Sequence, residues 1–515
     1  MVKPIQSIVI VGGGTAGWLT AGVIAARRQG RIKAGLFSVT LVESPNVPII
    51  GVGEGTWPSL RSTLEKIGVS ETELFRQCDA AFKQGAQFAH WTTGAQNDAY
   101  YHPLMLPQGF AQVNLVPHWL QEDRGVSFCD AVCPQGELCD DGLAPKTITT
   151  PEYQGMANYA YHLDAGKFAP FLQKHCTTTL GVRHVLADVT TVNQDDQGDI
   201  TCVSTKQAGD IAGDLFVDCT GFSSLLLGKT LGVPFKDCSD VLFCDTALAV
   251  QVPYETPDAA MASHTISTAH EAGWTWDIGL PSRRGVGYVY SSRHTSHEAA
   301  EAVLARYVGP AIENLSPRRI PIRSGHRELF WKNNCVAVGL AAGFLEPLEA
   351  SAIVLIEMSA KLIAEQMPAN REVMDIVAAR FNEATHYRWG RIIDFLKLHY
   401  VLTQRTDNAF WTDNVDPATI PERLQHLLKL WKYQAPWYLD EFDRLEEVFP
   451  AASYQYVLYG MGFRTEVGAM DNAGTASMAG RFMNEKRTAS TKMRAHLPKN
   501  RELVNKIREY GLQPI

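Results

Sequence analysis

The chain of 515 residues has no apolar run of the ~18–20 residues that a helix needs to cross a bilayer, which argues against a membrane span. No secretion signal precedes its first apolar segment. It has no basic excess: 47 Lys and Arg stand against 55 Asp and Glu, a net charge of −8, which makes nucleic acid an unexpected partner. It also lacks a zinc pattern. The ten cysteines are scattered, and the closest set, Cys129, Cys133 and Cys139, has no histidine at zinc-finger spacing. They are read as reduced thiols, with no metal, in a cytoplasmic protein. There is no internal repeat and no low-complexity tail. The basic stretch Arg481 to Arg508 is read as a solvated helical face. What remains is ordinary for a globular enzyme: 45% hydrophobic and 20% charged residues, enough for a large core.

The most informative stretch is Ile8-Val-Ile-Val-Gly-Gly-Gly-Thr-Ala-Gly17. Four β-branched residues predict a buried strand. Gly12, Gly14 and Gly17 have the GxGxxG spacing, in which the backbone turns sharply and approaches a pyrophosphate. Trp18 to Arg28 then reads as a helix whose N-terminal amides and dipole favour an anion. About 26 residues beyond Gly17, Ser38-Val-Thr-Leu-Val-Glu43 predicts a second strand ending in a carboxylate placed to accept hydrogen bonds from a ribose. GxGxxG alone is weak, but the strand, helix and acidic strand end together predict a bound dinucleotide. Gly12, Gly14, Thr15, Ala16, Gly17 and Glu43 are the candidate contacts. The glycines of Ile49 to Thr56, Gly53 among them, are read as a loop along a flat ligand.

The expected fold is α/β: a Rossmann-like, two-dinucleotide-fold flavoprotein module with an inserted antiparallel β substrate region and a mostly helical C-terminal part. The apolar strand Asp214 to Phe222 ends at a glycine turn and is expected to return to the cofactor sheet. Residues 1–370 are assigned to the FAD-binding module, interrupted at about 85–175 and 240–330. Residues 371–515 are assigned to a substrate-covering helical module. Trp57 to Ala81 is expected to be helical. Residues 96–155 are expected as irregular antiparallel segments. His184 to Val192, Ile200 to Ser204 and Cys335 to Gly339 are expected as strands. Period-two runs around 247–251 and 285–291 predict antiparallel strands with one covered face. A second GxGxxG for a nicotinamide is absent, so a bound flavin would be reduced elsewhere.

Three further stretches carry chemistry. Lys83 lies among apolar residues in Ala80 to Trp91; it is either a snorkelling surface lysine or a buried one, whose lowered pKa would leave a nucleophilic amine. Gly339-Leu-Ala-Ala-Gly-Phe-Leu-Glu-Pro-Leu-Glu-Ala-Ser-Ala-Ile353 predicts a turn from a strand into a helix. The Ser351 and Ala352 amides there could hold a small anion such as a halide, and Glu349 is either a catalytic carboxylate or a capping acid. In Gly273 to Pro281, Trp274 and Trp276 share one face of a strand, as aromatic core or as a wall between flavin and substrate.

Phe-Lys-Gln-Gly around Lys83, Trp-Thr-Trp-Asp-Ile from Trp274, Gly-Phe-Leu-Glu-Pro-Leu-Glu-Ala-Ser-Ala-Ile, and the opening Val-Gly-Gly-Gly-Thr-Ala-Gly-Trp together resemble the flavin-dependent halogenases of the tryptophan-halogenase family, from residue 5 to about 465. The resemblance implies that FADH2 from a separate flavin reductase binds the glycine turn, with Val189, Leu340 and Ile353 also touching it. It implies that O2 and chloride or bromide held by Ser351 and Ala352 yield hypohalous acid, which passes to Lys83. Lys83 then hydrogen-bonds that acid or becomes a haloamine, and Glu349 takes the ring proton or stabilises the cationic ring. It puts His102 beside a small aromatic substrate, where a structural histidine is the other reading, and it is compatible with a homodimer. Two departures stand out. Proline follows Ile278 only at Pro281, and the family's Glu-Ser-Thr-Gly turn reads Glu349-Ala-Ser-Ala352, where alanine lacks glycine's freedom at positive φ. The aromatic and carboxylate cluster that holds the amino-acid part of tryptophan is not identifiable, which favours an indole-type substrate over free tryptophan. The rival readings are a flavin-dependent aromatic hydroxylase and a non-catalytic flavin-binding protein.

Overall fold

A computed structural model describes residues 3–47, 53–122, 125–438, 447–466, 468 and 474–514. Two compact units emerge, each assembled from several chain segments. The first comprises Met1–Asp79, Leu163–Cys238 and Arg323–Trp389; the second comprises Ala80–His162, Ser239–Ile322 and Gly390–Ile515.

The first unit is built on a six-stranded sheet in the order Trp331–Lys332, Cys335–Ala337, Leu215–Asp218, β1 (Ser7–Val11), β2 (Ser38–Glu43) and Arg183–Leu186. All pairings are parallel except the hairpin at the Trp331 edge. Ile8 to Val11 are all buried, as a central parallel strand covered on both faces requires. Burial of each large aliphatic side chain contributes about 1.5–3 kcal/mol. The strand Leu215–Asp218 does return beside β1, with Ile8 opposite Leu215. Helix α1 (Thr15–Lys33) packs against the helix Ser351–Glu365. A three-stranded antiparallel sheet spans Val189–Ala212, and another joins Phe235–Asp237, Gly325–Arg327 and Gly343–Phe344.

Two elements differ from expectation. Trp57 to Ala81 is two helices, Ser59–Lys66 and Glu71–Gln77, followed by a strand. Gly68 at φ 81 stops the first helix, and the Ser70 side chain caps the second by accepting from the Glu73 amide. His184 to Val192 divides between Arg183–Leu186, beside β2, and Val189–Gln194, in the antiparallel sheet.

The second unit contains a seven-stranded sheet in the order Arg318–Pro321, Thr246–Pro253, Arg283–Tyr290, Gly273–Gly279, Thr265–His270, Gly85–Ala89 and Ala99–Pro103. It is antiparallel except where Thr265–His270 runs parallel to Gly85–Ala89. Leu248, Val250 and Val252 on one strand and Val286, Tyr288 and Tyr290 on its neighbour bury their shared face under the helix His297–Val308. The strands are antiparallel as the period-two runs predict, but burial is unbroken over residues 246–250 and 285–290, so both faces are covered there and not the single face expected. Among the described residues of 96–155, the strand Ala99–Pro103 is antiparallel as expected, while Val116–Glu122, Phe128–Val132 and Gln135–Asp140 are short helices in place of further antiparallel segments. Ser127 and Pro134 stand at the N-caps of the last two, where their chemistry favours helix starts over strands.

The C-terminal helices Glu422–Trp431, Ala451–Gly460, Ala476–His496 and Asn500–Tyr510 belong to this second unit with the inserted strands, and Asn500–Tyr510 packs against the strand Ala81–Lys83. The expectation of a separate module beginning at 371 therefore differs from the contacts, which join residues 390–515 to 80–162 and 239–322. Among the described residues, no helix is long and apolar enough to cross a membrane. All ten cysteines are free thiols.

Candidate active site

In the first unit the glycine turn has the geometry that its spacing predicts. Gly12 holds φ 119, and a Cβ on it would stand 2.1 Å from the Cys219 carbonyl oxygen. A Cβ on Gly17 would lie 1.8 Å from the Gly12 carbonyl oxygen, so only glycine lets α1 start this close to β1. A Cβ on Gly14, the α1 N-cap, would meet nothing within 4 Å, and neither a side-chain cap nor a first-turn acid occupies the helix start. The open side of the turn thus presents helix-start amides to an anion, which fits a dinucleotide pyrophosphate. Glu43 lies against Gly13, where a Cβ would be 2.1 Å from the carboxyl carbon. Its Oε2 is 2.9 Å from His184 Nε2, close enough for an ion pair with a protonated imidazole but without hydrogen-bond geometry.

The other cofactor candidates, Gly53, Val189, Leu340 and Ile353, also belong to the first unit. Gly339, at φ 68, begins a short 3-10 turn through Leu340, and a Cβ on Gly339 would be 2.6 Å from the Ala16 Cβ. Ala187, two residues before half-buried Val189, donates its amide to the Glu43 carbonyl at 2.8 Å. Gly53 is buried at the start of the strand Gly53–Gly55; residues 48–52 of its loop lie outside the described residues. Ile353 is buried in the helix Ser351–Glu365.

That helix begins as expected at Ser351, with no acidic residue in its first turn and no side-chain cap. Ser351 is buried, Ala352 is exposed and Glu349 is buried. The positive φ, however, is not at Ala352, which is helical. It falls on Ala350, at φ 54 and ψ 41, a conformation that costs an L-residue about 1–2 kcal/mol. Concern over the missing glycine therefore moves two residues upstream. The sequence gives no signal for Trp57, whose indole Nε1 donates to the Glu349 carbonyl at 2.8 Å across 292 positions.

Two carboxyl groups of the first unit titrate near neutrality. Burial, then the Asp164 charge, pushes Glu54 up to about 7. Burial pushes Glu357 up to about 7 against the opposing effect of hydrogen bonds from Thr63 Oγ1 (2.6 Å) and Ser59 Oγ (3.1 Å). A carboxyl pKa raised on folding means that the native state binds the proton more tightly, so stability is greatest below about pH 4.5 and is lost as pH rises towards 7. Replacing Glu357 by Gln should remove about 3 kcal/mol of this slope. In urea denaturation, Glu357→Gln should gain on the unmodified protein by that amount between pH 4 and pH 8; a difference that stays constant with pH would sink the assignment.

In the second unit Lys83 is 4% exposed, at the end of the strand Ala81–Lys83. The antiparallel register sets Lys83 opposite Ala160 and Ala81 opposite His162, so Lys83 and His162 are diagonal neighbours on one face. His162 is held well below the usual histidine range by burial first, then by the charges of Lys83 and His264. Burial alone lowers His264 to about 4. His162 Nε2 is 2.8 Å from Thr265 Oγ1, while the Nδ1 atoms of His162 and His264 are buried without a hydrogen-bond partner. Burial by itself does not single out Lys83. Lys146, Lys397 and Lys486 are equally buried, anchored by the Pro151 carbonyl, Asn414 and Glu137.

His102 is buried, with Nε2 2.9 Å from Ser453 Oγ and its ring against Phe395 and Tyr456. Trp274 and Trp276 do share a face, with ring centroids 6.4 Å apart. Trp274 packs on Trp91 within a cluster that includes Tyr400 and Trp411, and Trp276 covers Gly287.

The tryptophan halogenase family model matches residues 7–473. Tryptophan 6-halogenase SttH of Streptomyces toxytricini is 36% identical over 89% of this chain and 89% of its own. Tryptophan 7-halogenase RebH of Lentzea aerocolonigenes is 33% identical over 90% of each. The crystal structure of a tryptophan halogenase from Shewanella frigidimarina NCIMB 400 superimposes with a TM-score of 0.96 at 48% identity, covering 100% of this chain and 99% of that one.

Proposed function

This chain belongs to the tryptophan halogenase family and is a flavin-dependent halogenase; from that premise we propose that it transfers chlorine or bromine through Lys83 to an electron-rich, indole-type aromatic other than free tryptophan. FADH2, supplied by a separate flavin reductase, provides the reducing equivalents with which O2 converts halide to hypohalous acid. The residues of the chain position these partners. The turn Gly12, Gly14, Thr15, Ala16 and Gly17 takes the pyrophosphate on its amides, and Glu43 takes the ribose. Gly53, Val189, Leu340 and Ile353 line the cofactor. The Ser351 and Ala352 amides hold the halide.

Lys83 receives the hypohalous acid HOX either as a hydrogen-bond donor or by reaction of its neutral amine: R–NH2 + HOX gives R–NHX + H2O, the nitrogen–halogen bond forming as the oxygen–halogen bond breaks. Glu349 accepts the proton that the aromatic ring loses. Trp274, Trp276 and His102 contact the aromatic substrate. The observation that carries this reading is a lysine 4% exposed, on a strand face it shares with a buried histidine, in a chain of this family.

The test is a screen of indoles and free tryptophan with a flavin reductase and each halide in turn, read by the halogen isotope pattern of the products. The expected result is a halogenated indole-type product that requires both reductase and halide. Oxygen insertion without halogen, or conversion of tryptophan alone, would overturn the proposal.

A further inference from the structure

We infer that Trp57 is the positioning residue of the halide turn: its indole N–H holds the Glu349–Ala350 peptide in the orientation that aims the Ser351 and Ala352 amides. The inference rests on the halide assignment proposed above and adds a residue to it. A peptide unit is planar, so a hydrogen bond to the carbonyl of residue 349 also fixes the rotation at residue 350. Trp57 Nε1 donates to that carbonyl at 2.8 Å. The next residue, Ala350, is left-handed, one of six described non-glycine residues at positive φ. An alanine does not hold this conformation unaided, because its Cβ crowds the backbone there. On the other side of the turn the Ala350 amide donates to the Pro347 carbonyl at 3.0 Å. The peptide is therefore held at both its carbonyl and its N–H, and the helix whose first amides are Ser351 and Ala352 starts directly from it.

The donor is itself anchored to the helix that it serves. The helix Ser59–Lys66 begins two residues after Trp57, and its Ser59 and Thr63 hydroxyls donate to the two oxygens of Glu357, at 3.1 and 2.6 Å. Glu357 lies on the same helix as Ser351, nearly two turns further on. Segment 57–63 thus grips the helix Ser351–Glu365 at its entry and along its body. Loss of the indole N–H should leave the fold and the flavin turn in place and loosen only the entry.

The experiment is steady-state kinetics of Trp57→Phe, which keeps a ring and removes the donor, with reductase and flavin saturating and chloride or bromide varied. Loss of one such bond predicts a rise in halide KM of about tenfold, with kcat at saturating halide and flavin affinity each within about twofold. Glycine adopts the left-handed region freely, so Trp57→Phe with Ala350→Gly should recover much of the halide KM, a rescue that a merely structural role for the ring does not predict. An unchanged halide KM, or equal losses in halide and flavin affinity, overturns the inference. If Trp57→Phe fails to fold, benzothienylalanine at position 57 removes the N–H at constant ring size and gives the same readout. An unmodified enzyme that halogenates no substrate overturns the halide assignment itself; turnover with an unmoved halide KM in the variant overturns only the role of Trp57.

Discussion

Lys83→Met should form no halogenated product, a loss on the order of a thousandfold or more, while binding FAD as the unmodified protein does. Methionine keeps most of the stem's volume and apolar surface, so the loss would report the amine and not a cavity. The dinucleotide turn belongs to the first unit and the Lys83 strand to the second. A second readout is independent of turnover. The Lys83 charge helps to hold His162 below the usual histidine range, so in Lys83→Met that imidazole should titrate at higher pH, with burial and the His264 charge as the remaining causes. Product formed at an ordinary rate by Lys83→Met would refute transfer through the amine. A loss of product accompanied by a loss of FAD binding would show that the substitution had damaged the fold.

Gly17→Ala should lose both flavin binding and stability. The added Cβ would stand 1.8 Å from the Gly12 carbonyl oxygen. That neighbour is backbone in a turn where Gly12 is already at φ 119, so no side-chain rotation relieves the overlap and α1 must move away from β1. Overpacking against rigid neighbours costs about 3 kcal/mol or more, equivalent to a fall in melting temperature of roughly 6–12 °C for a unit of this size. Gly14→Ala is the control: its Cβ meets nothing within 4 Å, so it should fold normally and lose flavin affinity alone, because the methyl enters the space where the phosphates approach. Calorimetry and flavin titration on the pair separate the two effects. Equal stability and equal flavin affinity in Gly17→Ala would remove the basis for the pyrophosphate turn.

The dinucleotide module was legible because its signals are local. A β-branched strand, three glycines at fixed offsets and an acidic strand end specify a βαβ turn within 43 residues, and the structure reproduces each part. The Ser351 helix start was legible for the same reason. Lys83 was legible only with the help of a family resemblance. Four lysines are buried among the described residues, and the apolar context of Lys83 does not distinguish it from Lys146, Lys397 or Lys486, whose anchors are side chains and carbonyls supplied elsewhere in the fold. The helices of 116–140 were missed because caps such as Ser127 and Pro134 weigh little in a stretch otherwise rich in turn-forming residues. That the C-terminal part consists mostly of helices was read from the sequence. Their membership in a unit with the inserted strands was not, since periodicity says which face is apolar and not what covers it.

By itself, then, the sequence determined the elements and chemistry that depend on near neighbours: the glycine turn, the acidic end of β2, the strand periodicities and the entry to the Ser351 helix. Tertiary structure alone decided which residue of that entry is left-handed, that Trp57 reaches the Glu349 carbonyl from 292 positions away, and that His162 shares a strand face with Lys83. The division has a physical cause. Backbone sterics and hydrogen-bond periodicity act over a few residues and leave a pattern in the chain, whereas a cross-strand register or a single long-range hydrogen bond is selected by packing and leaves none.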